Sequence, residues 1–405
     1  MTAVMQGVRI LEVAEQTFVP AASALMADWG AEVIKIEHVE RGDAMRGLAS
    51  SGVMTMAGGV HALMEHSNRG KKSLGLDLTS DDGRDILYKL IATSDIFLTN
   101  KLPGVRKKLK ITVEEVRAHN PRIIYVRGTG QGERGPDADK GSYDALAFWA
   151  RAGISVATTR PEYGHLVGPP GPGFGDSLGA MTIAGGMMGA LFHRERTGEA
   201  PVVDVSLFGT GIWSMGQAIT LSLLNDVPQA PPPLDMLRMN PLVGNYLTKD
   251  NRWLSLCCLQ AGKYWPGLCQ AIERPELATD PRFADHASLM AHSREAIDIV
   301  TEALGDRTLA EWRERLAGFN GQWTVVQNTL EVAEDPQTVA NGYVRASQTA
   351  DGIPFRLAAA PIQFDEEEPE LGRSPDFNEH GDSILSDLGL DWDTILDLKV
   401  RGVIA

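Results

Sequence analysis

The stretch GVRILEVAEQTFVPAASALMADWGAEVIKIE, residues 7–37, decides the fold of this chain. Two short β-rich apolar runs, residues 9–13 and 32–36, lie on either side of an amphipathic segment. Gly30 follows that segment at the point where a helix would end. Strands that alternate with helical segments in this way are typical of a β-α-β unit with parallel strands.

The same alternation continues to about residue 130. Further strands are predicted at residues 73–78, 96–99 and 123–127. Helix starts are predicted at Ser80, which precedes two aspartates, and at Thr112, which forms a capping box with Glu115. We therefore predict an α/β, doubly wound domain built on a parallel sheet.

A proline-rich segment, NDVPQAPPPLDMLRMNP at residues 225–241, predicts a linker to a second, smaller unit. Before it, VVDVSLF at residues 202–208 fits either a strand or the start of a helix. After it, GNYLTKDNRWLSLCCL at residues 244–259 predicts two strands joined by a turn at residues 249–251, and residues 264–319 are predicted to be mostly helical. Two amphipathic helices are predicted near the C-terminus.

Composition excludes several classes of function. With 38 basic and 53 acidic residues the formal net charge is −15, which opposes nonspecific binding to nucleic acid or to an anionic membrane. The three cysteines lack zinc-type spacing and are interpreted as buried thiols in a reducing cytoplasm. No secretion signal, bilayer-spanning run, metal-binding histidine motif or GxSxG motif is recognised. We expect a cytoplasmic enzyme with no metal and no tightly bound cofactor.

Two basic clusters predict a binding site for an anionic ligand. KLPGVRKKLK at residues 101–110 follows one predicted strand, and NRGKKS at residues 68–73 precedes another. Ligands of open α/β sheets bind at the carboxyl ends of the strands, so these clusters suit a nucleotide with several phosphates, although two solvated faces fit equally well. A dehydrogenase is disfavoured, because the turn after the first strand, VAEQTFVP, contains no glycine that would let a pyrophosphate approach, even though Glu37 ends the second strand.

One carboxylate stands alone in GPPGPGFGDSLGAM, residues 168–181. Asp176 is expected to precede a helix directly, where it is either an N-cap worth about 1 kcal/mol or a nucleophile for an acyl group. Gly173, Gly175 and Gly179 favour the nucleophile, because they remove side chains that would crowd a substrate. Further upstream, Asp144 in SYDALAFW is interpreted first as a helix cap.

Together these residues resemble the class III CoA-transferases, a family that includes the related α-methylacyl-CoA racemases. The resemblance covers nearly the whole chain and is carried by the following motifs: LMADWGAEVIKIEHVERGDAMR at 25–46, NRGKKSLGLDL at 68–78, SYDALAFWARAG at 142–153, GFGDSLGAM at 173–181, HRERTGEAPVVDVSLF at 193–208, EDPQTVANGYV at 334–344 and HGDSILSDLGL at 380–390.

The resemblance implies an interlocked homodimer of chains with three parts. These are a large Rossmann-like CoA-binding domain at residues 1–224, a smaller α+β domain at 225–330 and a C-terminal segment at 331–405 that returns to the large domain. It implies Asp176 as the catalytic nucleophile, supported by Tyr143, Asp144 and Gly175, with acyl-CoA and a carboxylic acid as substrates. It also implies a set of residues at or near the CoA nucleotide: His38, Arg46, Lys71, Lys72, Leu76, Asn100, Lys101, Lys108 and Leu109.

Two departures from the family pattern bear on the reaction. Racemases of the family carry a histidine where this chain has Tyr143, so racemisation is not expected. The glycine-rich lid of formyl-CoA transferases is absent from residues 245–262. The predicted function is CoA transfer from an acyl-CoA to a carboxylic acid through aspartyl anhydride and aspartyl-CoA intermediates. A racemase or epimerase, and a CoA-binding protein without turnover, remain the alternatives.

Overall fold

Six parallel strands form the central sheet, as the first β-α-β unit predicts. The computed structural model describes residues 2–48, 56, 58–232, 239–368 and 370–405. The strands are β1 (Arg9–Val13), β2 (Glu32–Glu37), β3 (Lys72–Gly75), β4 (Ile96–Thr99), β5 (Ile124–Thr129) and β6 (Val202–Ser206). Their order across the sheet is β3-β2-β1-β4-β5-β6, so that the direction of winding reverses between β1 and β4.

Helices cover both faces of this sheet, which confirms the doubly wound α/β class. One apolar core joins β1, β4 and β5 to α1 and α7, and the other joins the opposite face to α3, α5 and the C-terminal helices. The helices of the large unit up to residue 225 are α1 (Phe18–Asp28), α2 (Ala62–Asn68), α3 (Asp81–Ala92), α4 (Pro103–Lys108), α5 (Val113–His119), α6 (Ile154–Thr158), α7 (Phe174–Thr197), α8 (Leu207–Ser214) and α9 (Gly216–Asn225).

Local sequence signals correctly predicted most of these helix boundaries. Gly30 has φ of 99° just beyond α1, and the Ser80 hydroxyl accepts a bond from the Gly83 N–H at 3.1 Å. The capping box of Thr112 is present. The ambiguous residues 202–208 divide between a strand and a helix, because β6 pairs with β5 and Ser206 then caps α8 through the Gly209 N–H.

The second compact unit, Pro232–Pro336, is a three-stranded antiparallel sheet packed with helices. The predicted strand pair is present as β7 (Val243–Leu247) and β8 (Trp253–Cys257), whereas β9 (Trp323–Val325) was not predicted. Its helices are α10 (Ala261–Ala271), α11 (His286–Ala291), α12 (Ser293–Gly305), α13 (Leu309–Arg315) and α14 (Thr329–Glu334). Cys258 and Cys269 are buried as expected, but Cys257 is exposed because its side chain alternates to the outer face of β8.

The C-terminal segment belongs to the first unit, which comprises Met1–Pro231 and Gln337–Ala405. It contains α15 (Pro336–Ala340), the hairpin β10 (Val344–Gln348) and β11 (Pro354–Ala358), and the helices α16 (Gly381–Asp387) and α17 (Trp392–Val400). Its end covers the edge strand β3, because the Asn378 side chain accepts the Gly75 N–H at 3.0 Å and the Ala405 N–H donates to the Gly75 carbonyl at 3.2 Å. Edge strands need such protection against pairing with other chains.

Four fully buried charges, here called the buried quartet, lie around β1 and β2. They are Glu12, Lys35, Asp43 and Lys71. The Lys35 ammonium pairs with Glu12 and with Asp43, each at 2.8 Å, and Lys71 pairs with the second Glu12 oxygen at 2.8 Å. Burial alone would raise the pKa of Glu12, but the two ammonium groups outweigh it and hold that pKa below its usual range.

The described residues contain no single helix that is long and apolar enough to cross a bilayer. Only α8 and α9, bent by 65° at their junction, pass that test when they are taken together.

Replacement of Lys35 tests the buried quartet. Lys35→Met is expected to lower the free energy of unfolding by about 3–5 kcal/mol, because Asp43 would keep a buried charge without a cation. Lys72→Met is the matched control, since Lys72 pairs with Glu32 at a half-exposed site and should cost about 1 kcal/mol or less. Urea denaturation followed by circular dichroism measures both variants. Equal losses in the two would contradict this account of the quartet.

Candidate active site

Two crevices lie at the carboxyl ends of the central strands, on either side of the point where the winding reverses. Ligands of open α/β sheets bind in this position. The first, here called the Asp176 cavity, has a volume of about 130 Å³. It is lined by Gln16, Phe18, Asn100, Leu102, Gly128, Thr129, Gly130, Gly141, Ser142, Tyr143, Asp176 and Leu207.

Asp176 is not the cap of its helix. Helix α7 begins at Phe174, and its N-cap is Gly173, whose φ of 67° is in the left-handed region that favours glycine. The expectation that Asp176 precedes the helix is therefore wrong, because the irregular segment ends three residues earlier, at Gly173. Asp176 occupies the first turn of α7, is half-buried and lines the cavity, and it is not the N-cap of the helix.

The environment of Asp176 disfavours its charged form. Burial, and then the negative charge of Asp144, raise the pKa of Asp176 from 3.8 to about 7. Asp144 is held next to the start of α7, because one of its oxygens accepts the Gly175 N–H at 3.2 Å and the other accepts the Ala145 N–H at 2.7 Å. The second bond confirms the predicted capping role, although the turn it caps, Ala145–Ala150, is a π-helix. Such turns often occur at functional sites.

The glycines around Asp176 make room for protein rings. A Cβ at Gly175 would lie 2.6 Å from the Phe148 ring, and one at Gly179 would lie 2.3 Å from the Phe18 ring. The expectation that these two glycines clear space for a substrate is therefore wrong. They let α7 approach the rings that support the cavity from behind.

Phe174 does not line the cavity. Its ring packs edge-on against Phe148 and Trp149, with centroids 6.3 Å apart in each case. The residue therefore fixes the first turn of α7 against the π-helix that carries Asp144 at its start.

The glycine-free turn after β1 forms another wall, which sequence reasoning did not assign to the site. Gln16 adopts φ of 71°, an uncommon conformation for a residue with a side chain. Its N–H donates to Asp43 at 3.0 Å, so a member of the buried quartet holds this strained residue in place. The lack of glycine in VAEQTFVP was the sequence signal that could have identified this wall, because a tight turn without glycine needs contacts with other parts of the chain to stabilise it.

The second crevice, here called the His38 cavity, has a volume of about 100 Å³. Its floor is apolar and its rim carries both charge signs, with Lys101 and Arg41 each paired to Glu15 at 2.9 and 3.0 Å. The lining residues are Val13, Glu15, Ile36, Glu37, His38, Arg41, Leu76, Asp77, Leu78, Thr79, Lys101 and Leu109. An apolar slot with a few polar side chains at its rim suits a flat heterocycle.

The structure brings several predicted residues to these two crevices. His38, Leu76, Lys101 and Leu109 share the His38 cavity, whereas Asn100 and Tyr143 line the Asp176 cavity. The Asn100 side chain is engaged with the backbone of Glu15, donating to its carbonyl at 2.7 Å and accepting its N–H at 3.2 Å. Asn100 and Lys101 are adjacent, so one segment after β4 serves both crevices.

Four of the residues predicted to lie at or near the CoA nucleotide do not line either crevice. Lys71 is buried in the quartet, and Lys72 pairs with Glu32 at the amino end of β3, opposite to the ligand-binding edge. Arg46 pairs with Glu37 at 2.8 Å behind the wall of the His38 cavity, and Lys108 is exposed on α4. In the described ranges, no group of histidine, cysteine, aspartate or glutamate side chains has the arrangement of a metal site.

The sheet order and the two crevices define a doubly wound α/β protein with a desolvated carboxylate in one of the crevices at the carboxyl ends of its strands. The sequence profile described as CoA-transferase family III matches residues 5–381. The chain belongs to this family, as its motifs predict, and the family uses CoA thioesters as substrates.

Relatives and solved structures agree over nearly the full length. The chain is 30% identical to (R)-2-hydroxy-4-methylpentanoate CoA-transferase from Clostridioides difficile, covering 99% of each chain, and 30% identical to cinnamoyl-CoA:phenyllactate CoA-transferase from Clostridium sporogenes, covering 98% and 96%. A CAIB/BAIF family protein from Brucella suis has a TM-score of 0.78 at 26% identity, covering 96% of this chain and 100% of that chain. Rv3272 from M. tuberculosis has a TM-score of 0.79 at 25% identity, covering 94% and 99%.

The raised pKa of Asp176 predicts a cost in stability. In the unfolded chain this carboxyl ionises near 3.8 and in the folded protein near 7, so the folded state loses stability as the pH rises from about 4 to about 7. Asp176→Asn should therefore raise the free energy of unfolding above that of the native protein by about 2–4 kcal/mol at pH 8. The advantage should shrink below pH 7 and vanish below pH 4. Urea denaturation at several pH values measures it, and a variant that is no more stable at pH 8 would refute the pKa assignment.

Proposed function

We propose that the protein transfers CoA from an acyl-CoA to a carboxylic acid, with Asp176 as the covalent nucleophile. The observation that carries this proposal is the position of Asp176, a desolvated carboxylate in the first turn of α7 that lines a cavity at the switch point of the sheet. Carboxylates are established nucleophiles in covalent catalysis. Family membership and the names of the relatives support the same reaction class.

The first half of the proposed reaction moves the donor acyl group to Asp176. A carboxylate oxygen of Asp176 attacks the thioester carbonyl carbon, the C–S bond breaks, and CoA leaves as the thiolate. The product is a mixed anhydride between Asp176 and the donor acid. The thiolate then attacks the aspartyl carbonyl carbon, which releases the donor acid as a carboxylate and leaves an aspartyl-CoA thioester.

The second half repeats these steps in reverse with the acceptor acid. Its carboxylate attacks the aspartyl-CoA carbonyl and releases the thiolate, which gives a second mixed anhydride. The thiolate then attacks the acceptor carbonyl, so a new acyl-CoA leaves and the Asp176 carboxylate is restored. One thioester replaces another, and the cycle needs no net proton transfer, water or external energy source.

The two crevices suit the two ends of the CoA thioester. We assign the nucleotide of CoA to the His38 cavity, where the apolar residues face the base and the phosphates lie at the rim. Arg41 and Lys101 would leave Glu15 to bind these multiply charged groups. The acyl group and sulfur belong in the Asp176 cavity, beside Tyr143. The adjacent residues Asn100 and Lys101, one lining each crevice, connect these two positions.

The structure gives no support to the two alternatives. The racemases that the chain resembles carry a histidine where this chain has Tyr143, whose neutral phenol is too weak a base for that role. A CoA-binding protein without turnover would use Asp176 only as a cap, but Gly173 is the N-cap of α7. The transferase is therefore the function that the geometry favours.

The proposed enzyme is a homodimer. Helices α8 and α9 expose large apolar side chains that a monomer would leave in water, with Trp213 86% exposed, Leu223 79% and Leu224 77%. Large apolar side chains exposed to this extent are typical of an interface between proteins. A second copy of the chain is the partner that the family resemblance implies.

Chemical trapping tests the nucleophile. The native protein, incubated with short-chain acyl-CoA thioesters and then treated with hydroxylamine, should carry a hydroxamate at Asp176 and at no other carboxylate, as read by peptide mass spectrometry. Asp176→Asn should fold and lose CoA exchange by a factor of at least about 10³, because the attacking oxyanion is gone. Full activity of the variant, or an unmodified Asp176, would overturn the proposed role.

The pH dependence of kcat/KM tests the electrostatic origin of the raised pKa. Activity should rise with pH through about 7, because only the ionised Asp176 attacks. Asp144→Asn removes a negative charge, so it should lower the pKa of Asp176 and move this rise to lower pH. Asp204→Asn is the control, since Asp204 pairs with Arg127 on the outer side of the sheet edge and should leave the profile in place. A shift in both variants, or in neither, would count against the Asp144 effect.

A further inference from the structure

The walls of the Asp176 cavity define the class of acid that the site accepts. On the basis of the proposed CoA transfer, we infer that the acyl group seated on Asp176 comes from a monocarboxylic acid with an uncharged side chain, and that dicarboxylates such as succinate are rejected. Every residue that carries this inference lies in the first compact unit.

The cavity offers no cation to a second carboxylate. Among the described residues that line it, none is a lysine, arginine or histidine. Three wall residues are apolar: Phe18, Leu102 and Leu207. Polar atoms come from neutral groups, namely the amides of Gln16 and Asn100 and the hydroxyls of Thr129, Ser142 and Tyr143. Such groups can bind an uncharged or hydroxylated side chain but do not neutralise a charge.

The basic residues closest in sequence to these walls are already paired. Each of them is next in the sequence to a lining residue, and each has a carboxylate partner. The pairs are Lys101 with Glu15 at 2.9 Å, Arg127 with Glu133 at 3.2 Å and with Asp204, and Lys140 with Asp137 at 2.6 Å. To bind a substrate carboxylate, any of them would first have to leave that partner. A dicarboxylate would therefore gain little from them.

The existing charges of the site oppose an additional anion. Asp176 lines the cavity, and Asp144 lies against the first turn of the same helix through its bond to the Gly175 N–H. Before Asp176 attacks, a terminal carboxylate of the acyl group would lose water, face these negative charges and find no positive partner among the described residues of the wall. Burying an unpaired charge is strongly unfavourable, whereas burying a methyl group at the same position is favourable.

Label exchange with matched acids tests the inference without knowledge of the natural acceptor. The native protein is incubated with butyryl-CoA and ¹³C-butyrate, and separately with succinyl-CoA and ¹³C-succinate. Mass spectrometry follows entry of the label into the thioester. Butyryl and succinyl differ only by a terminal methyl or carboxylate group. We expect kcat/KM for the butyryl pair to exceed that for the succinyl pair by at least about 100-fold.

A charge placed in the wall provides the gain-of-function test. Leu102 is half-buried and precedes α4. Leu102→Arg should raise kcat/KM for the succinyl pair, so that the ratio of the butyryl to the succinyl value falls at least about tenfold. Leu102→Gln is the matched control, because it adds a polar side chain without a charge. It should leave the ratio of the two kcat/KM values close to that of the native protein.

The outcomes separate this inference from the proposed function. Succinyl exchange within about threefold of butyryl exchange in the native protein would overturn the inference and leave CoA transfer intact. An equal gain in Leu102→Gln and Leu102→Arg would also overturn it, since charge would then not be the cause. Absence of exchange with both pairs, together with an unmodified Asp176 in the trapping experiment, would overturn the proposed function and the inference with it.

Discussion

The pairing of Lys35 with Glu12 and Asp43 is the interaction on which the geometry of the site depends. Two strands, β1 and β2, and two loops meet at this point, and none of the four charges of the buried quartet is accessible to water. Through Asp43 the quartet bonds the N–H of Gln16 and so fixes the turn that walls the Asp176 cavity. A buried ion network is costly to form, but once formed it is strongly destabilised by the loss of any member. The turn can therefore lack glycine and still hold one conformation.

Local patterns in the sequence were sufficient to predict the sheet but not all of its strands. β1 and β4 lie where the apolar runs placed them, and the caps at Ser80 and Thr112 are set by residues within one turn of the helix. β6 and β9 depend on partners far away in the chain. Residues 202–206 become a strand because β5 offers an open edge, and residues 323–325 because β8 does, and neither fact is visible in a short window of sequence.

For the candidate site, sequence identified residues but not where their side chains point. Tyr143 and Asp176 line one cavity together with Asn100, which the resemblance assigned to the CoA nucleotide instead. Lys71 is buried against Glu12, a partner 59 positions earlier in the chain that the local sequence does not reveal. A basic run such as NRGKKS shows that positive charge is present but not which way each side chain points. The role of the glycines of α7 was predicted wrongly for a similar reason. The rings that fill the space beside them come from Phe18 and Phe148, which are distant in the sequence.

The raised pKa of Asp176 and its proposed chemistry have one physical origin. Burial and the charge of Asp144 disfavour the carboxylate relative to any uncharged form. Protonation gives one such form, and in the proposed cycle acylation gives two others, the mixed anhydride and the aspartyl-CoA thioester, in which Asp176 carries no charge. An environment that destabilises the anion therefore lowers the free energy of the covalent intermediates relative to the free carboxylate. A cation beside Asp176 would reverse this balance by stabilising the ion. Among the described residues that line the cavity, the same absence of positive charge that would favour the proposed acylation also leaves no partner for a second carboxylate on the substrate. The proposed reactivity and the inferred selectivity therefore have one electrostatic basis.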